Sequence, residues 1–288
     1  MRKTDVATVH VVTSGMHVLG PMVACAARMC GKPLLVRTFG GGGFLPDAPA
    51  RRVWILWTLR WVDLLLVETR ELVRFFTEKG LRNTKWYANS RPMPALPEGH
   101  ADDTRACRRF VFLSQLHRTK GVAELMDAAE RFPEGVSVDV YGILGFDFPA
   151  SAFEGRRNVT YRGPVEPADV MDVLSSYDAL VLPTYYTREG YPGVILEAYA
   201  VGMPVVSTRH GGIPEVVDES TGILVEPRDV DALHAAMLSL VDDPGLFRRL
   251  RDGVLRRRSE FSDDVWQERF VEYCRELASA RGGDGHLT

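Results

Sequence analysis

The sequence predicts an α/β protein made of two successive domains, each a parallel sheet wound with helices. Three observations carry this expectation. Short runs rich in Val, Leu, Ile and Phe alternate with helix-length segments along the chain, the pattern of strand–helix–strand units. The alternation stops between Asn89 and Arg105, where Pro92, Pro94, Pro97 and Gly99 make a linker by composition, and starts afresh at Phe110. With 288 residues, 45% of them hydrophobic, the chain is long enough for two cores.

The first domain opens with Asp5 to Val12, loosely alternating and rich in Val and Thr, which reads as a strand. Gly15 breaks it, and Met16 to Cys30 reads as a helix ending at Gly31. Pro33 to Thr38 is a second strand, followed by the loop Gly40 to Gly43. Ala50 to Trp61 is helical, Leu64 to Val67 a third strand, Arg70 to Lys79 a helix ending at Gly80, and Thr84 to Ala88 a short fourth strand. The second domain reads as strands near 110–114, 136–141, 158–161, 179–183, 204–207 and 223–225, with helices between them. Amphipathic helices then fill Asp229 to Ala280.

One stretch stands out. The apolar run Ala179 to Thr184 leads into a turn carrying Glu189, Gly190, Pro192 and Gly193. A short apolar helix runs from Gly193 to Val201, stopped by Gly202 before the strand at Pro204 to Ser207. A loop at the carboxyl edge of a parallel strand is where open α/β sheets bind ligands. The helix it opens points unpaired amides back at that loop, a setting for an anion such as a diphosphate.

Composition excludes several classes. A net charge of −3 gives no basic field for nucleic acid. Cys25, Cys30, Cys107 and Cys274 are scattered, favouring neither a zinc site nor a disulfide frame and fitting a reducing compartment. Asp229-Val-Asp231 imitates a metal-binding acidic pair, but it follows Pro227 and opens a helix, so it reads as an N-cap; no metal is expected. The start lacks the apolar core of a secretory signal, and Met16 to Cys30 is too short to span a bilayer. A cytoplasmic protein, peripheral at the inner face of the membrane, is the expectation.

The spacing Glu189 to Glu197, with Gly-x-Pro between and Glu-Ala after, resembles the signature of the retaining family-four (group 1) glycosyltransferases. So do Phe110 to Ser114 with Lys120-Gly121, Asn158 to Gly163 with Pro164-Val165, His210 to Glu215, and Gly222 to Pro227. The resemblance implies the GT-B fold, two Rossmann-like domains, the first incomplete here. It implies residues 1–105 as a shortened acceptor-side domain with linker, 106–262 as the nucleotide-sugar donor domain, and 263–288 as a helix crossing back toward the first domain. It implies a nucleoside-diphosphate sugar as donor substrate, a glycan or lipid-linked acceptor, and no cofactor. By the same likeness Glu189 is the catalytic candidate, near the transferred sugar. Lys120 and the amides of Gly193, Val194 and Ile195 face the diphosphate. Glu197 holds the ribose, Val165 presents backbone to the base beside Gly163, Gly211-Gly212 lets backbone approach the donor, and Tyr191 and Gln115 lie on the donor side.

Three departures qualify that likeness. Gln115 stands where the family usually has an arginine, and a neutral amide cannot replace that charge; Arg118 is near in sequence. Phe39-Gly40 stands where the family often has a histidine. The first domain has about four strands, so its sheet edge calls for a homodimer or partner chain to cover it. Arg51 to Trp61 holds Trp54, Trp57 and Trp61 among Arg51, Arg52 and Arg60, which suits either a membrane-surface element or a helix covering the first sheet. The basic run Arg248, Arg249, Arg251 and Arg256 to Arg258 reads as a solvated helix face. The leading function is retaining glycosyl transfer in polysaccharide or glycoconjugate synthesis. A non-catalytic nucleotide-sugar-binding or subunit-type member is the alternative, and an epimerase or phosphorylase of the same fold a third.

Overall fold

A computed structural model describes residues 5–41, 48–96 and 106–282. Contacts divide the chain into two units, one taking the chain up to Asn89 together with the segment from Asp263, the other running from Ser90 to Ser262.

The first unit alternates β1 (Ala7–Val11), α1 (Thr13–Met29), β2 (Leu34–Thr38), α2 (Pro49–Leu59), β3 (Leu64–Val67), α3 (Arg70–Glu78) and β4 (Thr84–Trp86). Its sheet is parallel in the order β1-β2-β3-β4. All four residues of β3 are buried, as a central strand covered on both faces requires. Met16, Ile55, Leu59, Leu65 and Phe76 are fully enclosed around it. Helix α1 ends one residue before Cys30 because Gly31 takes a left-handed conformation (φ +63°), which lets the Lys32 amide bond the Ala27 carbonyl. β1 is an edge strand, with Thr8 and His10 exposed. Part of the expected loop, Gly42 and Gly43, lies outside the described residues.

The second unit contains β5 (Arg109–Leu113), α4 (Val122–Ala129), β6 (Ser137–Tyr141), β7 (Val159–Gly163), α5 (Val170–Ser175), β8 (Ala179–Leu182), α6 (Gly193–Ala200), β9 (Val205–Thr208), α7 (Ile213–Val216), β10 (Gly222–Val225), α8 (Val230–Asp242) and α9 (Pro244–Arg257). Its parallel sheet runs β7-β6-β5-β8-β9-β10. The order therefore counts down to β5 and then jumps to β8 and counts up. The connections leaving the carboxyl ends of β5 and β8 depart in opposite directions, and a crevice opens between them. In the first unit the order never reverses, so its described strands offer no crevice of this kind.

The last helix, α10 (Asp263–Gly282), belongs to the first unit. It packs on β4 through Trp266, edge-on to Trp86 at 4.8 Å, while the Tyr87 hydroxyl donates to the Trp266 carbonyl at 2.8 Å.

Two expectations need correction. The unit boundary falls at Asn89/Ser90 rather than beyond the linker: the Arg91 amide donates to the Phe261 carbonyl at 3.0 Å, which ties Ser90 onward to the second unit. The basic run on α9 is not uniformly solvated. Arg251 is buried, and Arg257 reaches the Asp218 carboxylate at 2.6 Å and the Glu215 carbonyl at 2.9 Å. Arginine stems cover apolar surface while their heads find acceptors, which charge counting alone does not reveal. Among the described residues, no helix is long and apolar enough to cross a membrane.

Candidate functional site

The loops after β5 and β8 meet at the reversal of strand order. After β5, a 3-10 turn (Arg118–Lys120) is closed by Gly121, left-handed at φ +77°; a Cβ there would stand 2.1 Å from the Pro183 carbonyl oxygen. Only glycine permits so close an approach. The Tyr185 amide donates to the Thr119 carbonyl at 2.8 Å, stitching the two loops together. This registration brings Lys120 Nζ to 2.7 Å from Glu189 Oε2. The Thr184 hydroxyl donates to the same oxygen at 2.7 Å, and Lys120 also lies over the Tyr186 ring at 4.9 Å. Glu189 is only 7% exposed. A carboxylate so enclosed needs charge-assisted partners, and it has an ammonium and a hydroxyl.

The second half of the site is the start of α6. Pro192 is its N-cap and contributes no side-chain cap. The Ile195 amide donates to the Pro192 carbonyl at 3.0 Å, so of the three amides expected to face a diphosphate one is engaged in a turn. The amides of Gly193 and Val194 have no protein partner among the described residues. Glu197 lies half-buried on the same short helix, whose other face, Ile195, Leu196 and Ala198 to Ala200, is fully enclosed. Its Oε1 accepts from Arg91 Nε at 2.7 Å. The Arg91 guanidinium meets the first turn by its Nη2 end: a Cβ on Gly193 would be 2.0 Å from Nη2.

The structure thus gathers Lys120 with Glu189, and Gly193 with Glu197. The other expected residues fall differently. Tyr191 is buried, its hydroxyl donating to Glu215 Oε2 at 2.7 Å. Gln115 is exposed on the loop after β5, and Val165 half-buried on the loop after β7. No hydrogen bond joins either to the central group among the described residues. The amide of Arg118 donates to Asp147, which also pairs with His117 at 2.8 Å, and the Arg118 side chain is exposed. Gly211 (φ +54°) does make a close backbone approach, but to the carbonyl of Glu189, where a Cβ would stand at 2.3 Å; the Gly212 amide donates to that carbonyl at 3.2 Å. This pair sets the position of Glu189. Asp229 caps α8, accepting from the Ala232 amide at 2.8 Å, and Asp231 pairs with Arg131.

Two residues of the site escape a sequence reading. Thr184 reads as the last residue of an apolar strand, and Arg91 as part of a proline-rich linker. The only local signal for Arg91 is Pro92, which restricts the backbone of the residue before it and so favours a fixed extended conformation.

The chain is similar to known proteins both in sequence and in fold. The family Glycosyl transferases group 1 matches residues 107–243. Over 124 residues the chain is 37% identical to a GDP-mannose-dependent monoacylated alpha-(1-6)-phosphatidylinositol monomannoside mannosyltransferase of Corynebacterium glutamicum, covering 40% of this chain and 32% of that protein. Over 129 residues it is 35% identical to a glycogen synthase of Mycobacterium tuberculosis, covering 44% of this chain and 30% of that one. The match thus spans about a third of the length of these relatives. Among solved structures, HepE of Anabaena in complex with UDP superposes with a TM-score of 0.77 at 17% identity, over 94% of this chain and 79% of that one. Sucrose-phosphate synthase of Thermosynechococcus elongatus gives 0.75 at 19% identity, over 95% and 73%. Residues 107–243 therefore match the Glycosyl transferases group 1 family, on a chain with the fold of the GT-B glycosyltransferases.

Proposed function

We propose that the protein is a retaining glycosyltransferase that moves a sugar from a nucleoside-diphosphate sugar to a glycan or lipid-linked acceptor, without a divalent ion. The observation that carries this is the convergence of Lys120, Glu189 and the start of α6 at the strand-order reversal of the second unit. In glycosyl transfer the bond from the anomeric carbon to the diphosphate breaks, and negative charge grows on the departing phosphate while the sugar turns oxocarbenium-like. Lys120 and the amides of Gly193 and Val194 are placed for the first charge. Glu189, held by Gly211-Gly212 and Thr184, is placed for the second or for the sugar hydroxyls. Glu197 takes the ribose hydroxyls. Donor and acceptor class draw support from the names of the relatives, one acting on an acylated phosphatidylinositol mannoside and one solved with UDP.

The test is donor hydrolysis and transfer over a panel of UDP- and GDP-sugars, wild type against Glu189→Ala. Turnover that Glu189→Ala abolishes, with nucleotide binding retained, is the expected result. A wild type that binds nucleotide and neither hydrolyses nor transfers any donor means a binding or subunit role instead.

The first unit supports a peripheral membrane position. On α2, Trp54 stacks on Trp57 at 5.5 Å and Trp57 lies 4.9 Å from Trp61; Arg28 of α1 sits over Trp61 at 5.3 Å. Val18, Leu19, Met22 and Val53 are exposed on the same two helices, with Arg51, Arg52 and Arg60, and neither helix contains an acidic residue. Aromatic and aliphatic side chains ringed by arginines match an anionic bilayer surface. Co-sedimentation with phosphatidylglycerol vesicles, lost in Trp57→Ala/Arg60→Ala and absent with phosphatidylcholine alone, is expected; equal binding by the variant removes the idea. The edge strand β1 leaves room for a second copy or a partner chain, and a monomer by light scattering at micromolar concentration would rule out the dimer.

A further inference from the structure

We propose that Arg91 is the second cation of the diphosphate site, supplying from the segment after β4 the charge that Gln115 does not. The proposal rests on the nucleotide-sugar reading of that site. Its first support is position. The guanidinium lies against the first turn of α6, close enough that a side chain on Gly193 would displace it, and so borders the amides that face the phosphates.

The second support is electrostatic. The start of a helix carries partial positive charge, and a cation placed there is repelled unless an anion sits with it. Glu197, one turn into the helix, is the anion now present, bonded to Arg91 Nε at 2.7 Å. A sequence that keeps an arginine at a dipole-positive helix end is arranged for a negatively charged guest. A diphosphate answers the guanidinium and the amides together.

The third support is rigidity. The Arg91 amide donates to the Phe261 carbonyl at 3.0 Å, Nη1 donates to the Ser90 carbonyl at 2.8 Å, and Pro92 limits the backbone. Gln115, by contrast, is exposed on an open loop. A guanidinium already fixed in place loses little freedom on meeting phosphate oxygens, which its planar fork can bind two at a time. On donor binding Arg91 is shared between Glu197 and the phosphate, leaving a carboxylate oxygen of Glu197 for the ribose. Each motif glutamate thus has its own cation: Lys120 for Glu189 and Arg91 for Glu197.

The test is titration calorimetry of the full chain with UDP, GDP, UMP, GMP, uridine and guanosine, comparing wild type with Arg91→Ala, Arg91→Lys and Lys120→Met. Arg91→Ala should weaken the better-bound diphosphate by about tenfold or more, as loss of a hydrogen bond to a charged group does. The nucleoside should be unaffected, Arg91→Lys should recover part of the loss, and affinity should depend less on salt. If Arg91→Ala lacks the native circular dichroism spectrum, Arg91→Gln, which keeps a donor for Glu197 without the charge, takes its place. Unchanged or tighter diphosphate binding in these variants, with Lys120→Met weakened, overturns the role of Arg91 and leaves the donor site standing. Wild type that binds neither UDP nor GDP overturns the donor-site reading itself.

Discussion

The pairing of Lys120 with Glu189 makes the sharpest quantitative prediction. The two charges meet at 2.7 Å with side chains 18% and 9% exposed. A hydrogen bond to a charged group contributes about 1.5–3 kcal/mol, and removing one partner of a fully buried pair costs about 3–5 kcal/mol. Lys120 keeps some solvent and Thr184 remains bonded to Glu189, so Lys120→Met should fall in the lower range, about 2–3 kcal/mol. For a unit of this size that corresponds to a fall in Tm of about 4–12 °C. Glu189→Gln should cost less, because its amide still accepts from Thr184 and the ammonium can turn toward solvent and the Tyr186 ring. The double variant should be less destabilised than the sum, with a coupling of about 1.5–3 kcal/mol. All five tryptophans, at 54, 57, 61, 86 and 266, belong to the first unit, so tryptophan emission reports that unit. Tyrosine emission and far-ultraviolet circular dichroism also follow the second. The loss should appear in the latter two signals and spare the first. Additivity within about 0.5 kcal/mol would mean that the two charges do not depend on one another, and the reasoning about the site's wiring would be wrong.

Three further outcomes follow from local geometry. Gly121→Ala forces a left-handed non-glycine residue and a clash with the Pro183 carbonyl, so it should cost about 2–6 kcal/mol by denaturant unfolding and weaken diphosphate binding by displacing Lys120. Asp229→Ala removes the cap of α8 and should cost about 1 kcal/mol with nucleotide affinity unchanged in calorimetry. Burial, and then the hydrogen bond to Asp139, pushes the Tyr177 phenol far above its ordinary range, and burial does the same to Tyr199. A raised folded value means that the stability these groups contribute is fully present below about pH 10 and is lost as pH rises through the higher folded values. Alkaline titration of phenolate absorbance should show late-ionising tyrosines, Tyr177 and Tyr199 among them; a single ordinary transition for all tyrosines would contradict this.

The strand–helix order was readable because the central parallel strands are buried on both faces and so appear as uninterrupted apolar runs, as at Leu64–Val67 and Ala179–Leu182. The loop carrying Glu189 was readable for a related reason. Gly190, Pro192 and Gly193 interrupt the pattern where the chain must turn at a strand end, and the acids that remain there stand out. What could not be read was any contact set by how the chain folds back rather than by local spacing. Thr184 binds Glu189 because the loop folds back on itself. Arg91 reaches Glu197 across 106 residues, and no local period encodes that. Burial was equally hidden at Tyr191, beside the motif in sequence, whose aromatic ring packs in the core 6.2 Å from that of Phe261.

The two sheets also assign different kinds of work to the two units. A ligand crevice in an open parallel sheet needs adjacent connections that leave in opposite directions, and the second unit has such a point between β5 and β8. The described strands of the first unit run in unbroken order, so what that unit offers lies on its surface. That surface is unusual for an acidic protein: two neighbouring helices without a single carboxylate, with Trp57 packed between Trp54 and Trp61 at the end of the second, and exposed arginines. Exposing Trp54, Trp57 and Trp61 to water forfeits burial worth about 25 cal/mol for each Å² of apolar area. The arginines among them prevent that area from being hidden against a second apolar protein face without burying charge, whereas an anionic bilayer accepts both kinds of side chain at once. The net charge of −3 conceals this asymmetry, and the distribution of charge, rather than its sum, is what the proposed attraction to lipid rests on. If anionic vesicles protect Trp57 from an aqueous quencher and salt at high concentration restores quenching, both halves of the attraction are present; protection that is indifferent to salt would leave the arginines without a part in it.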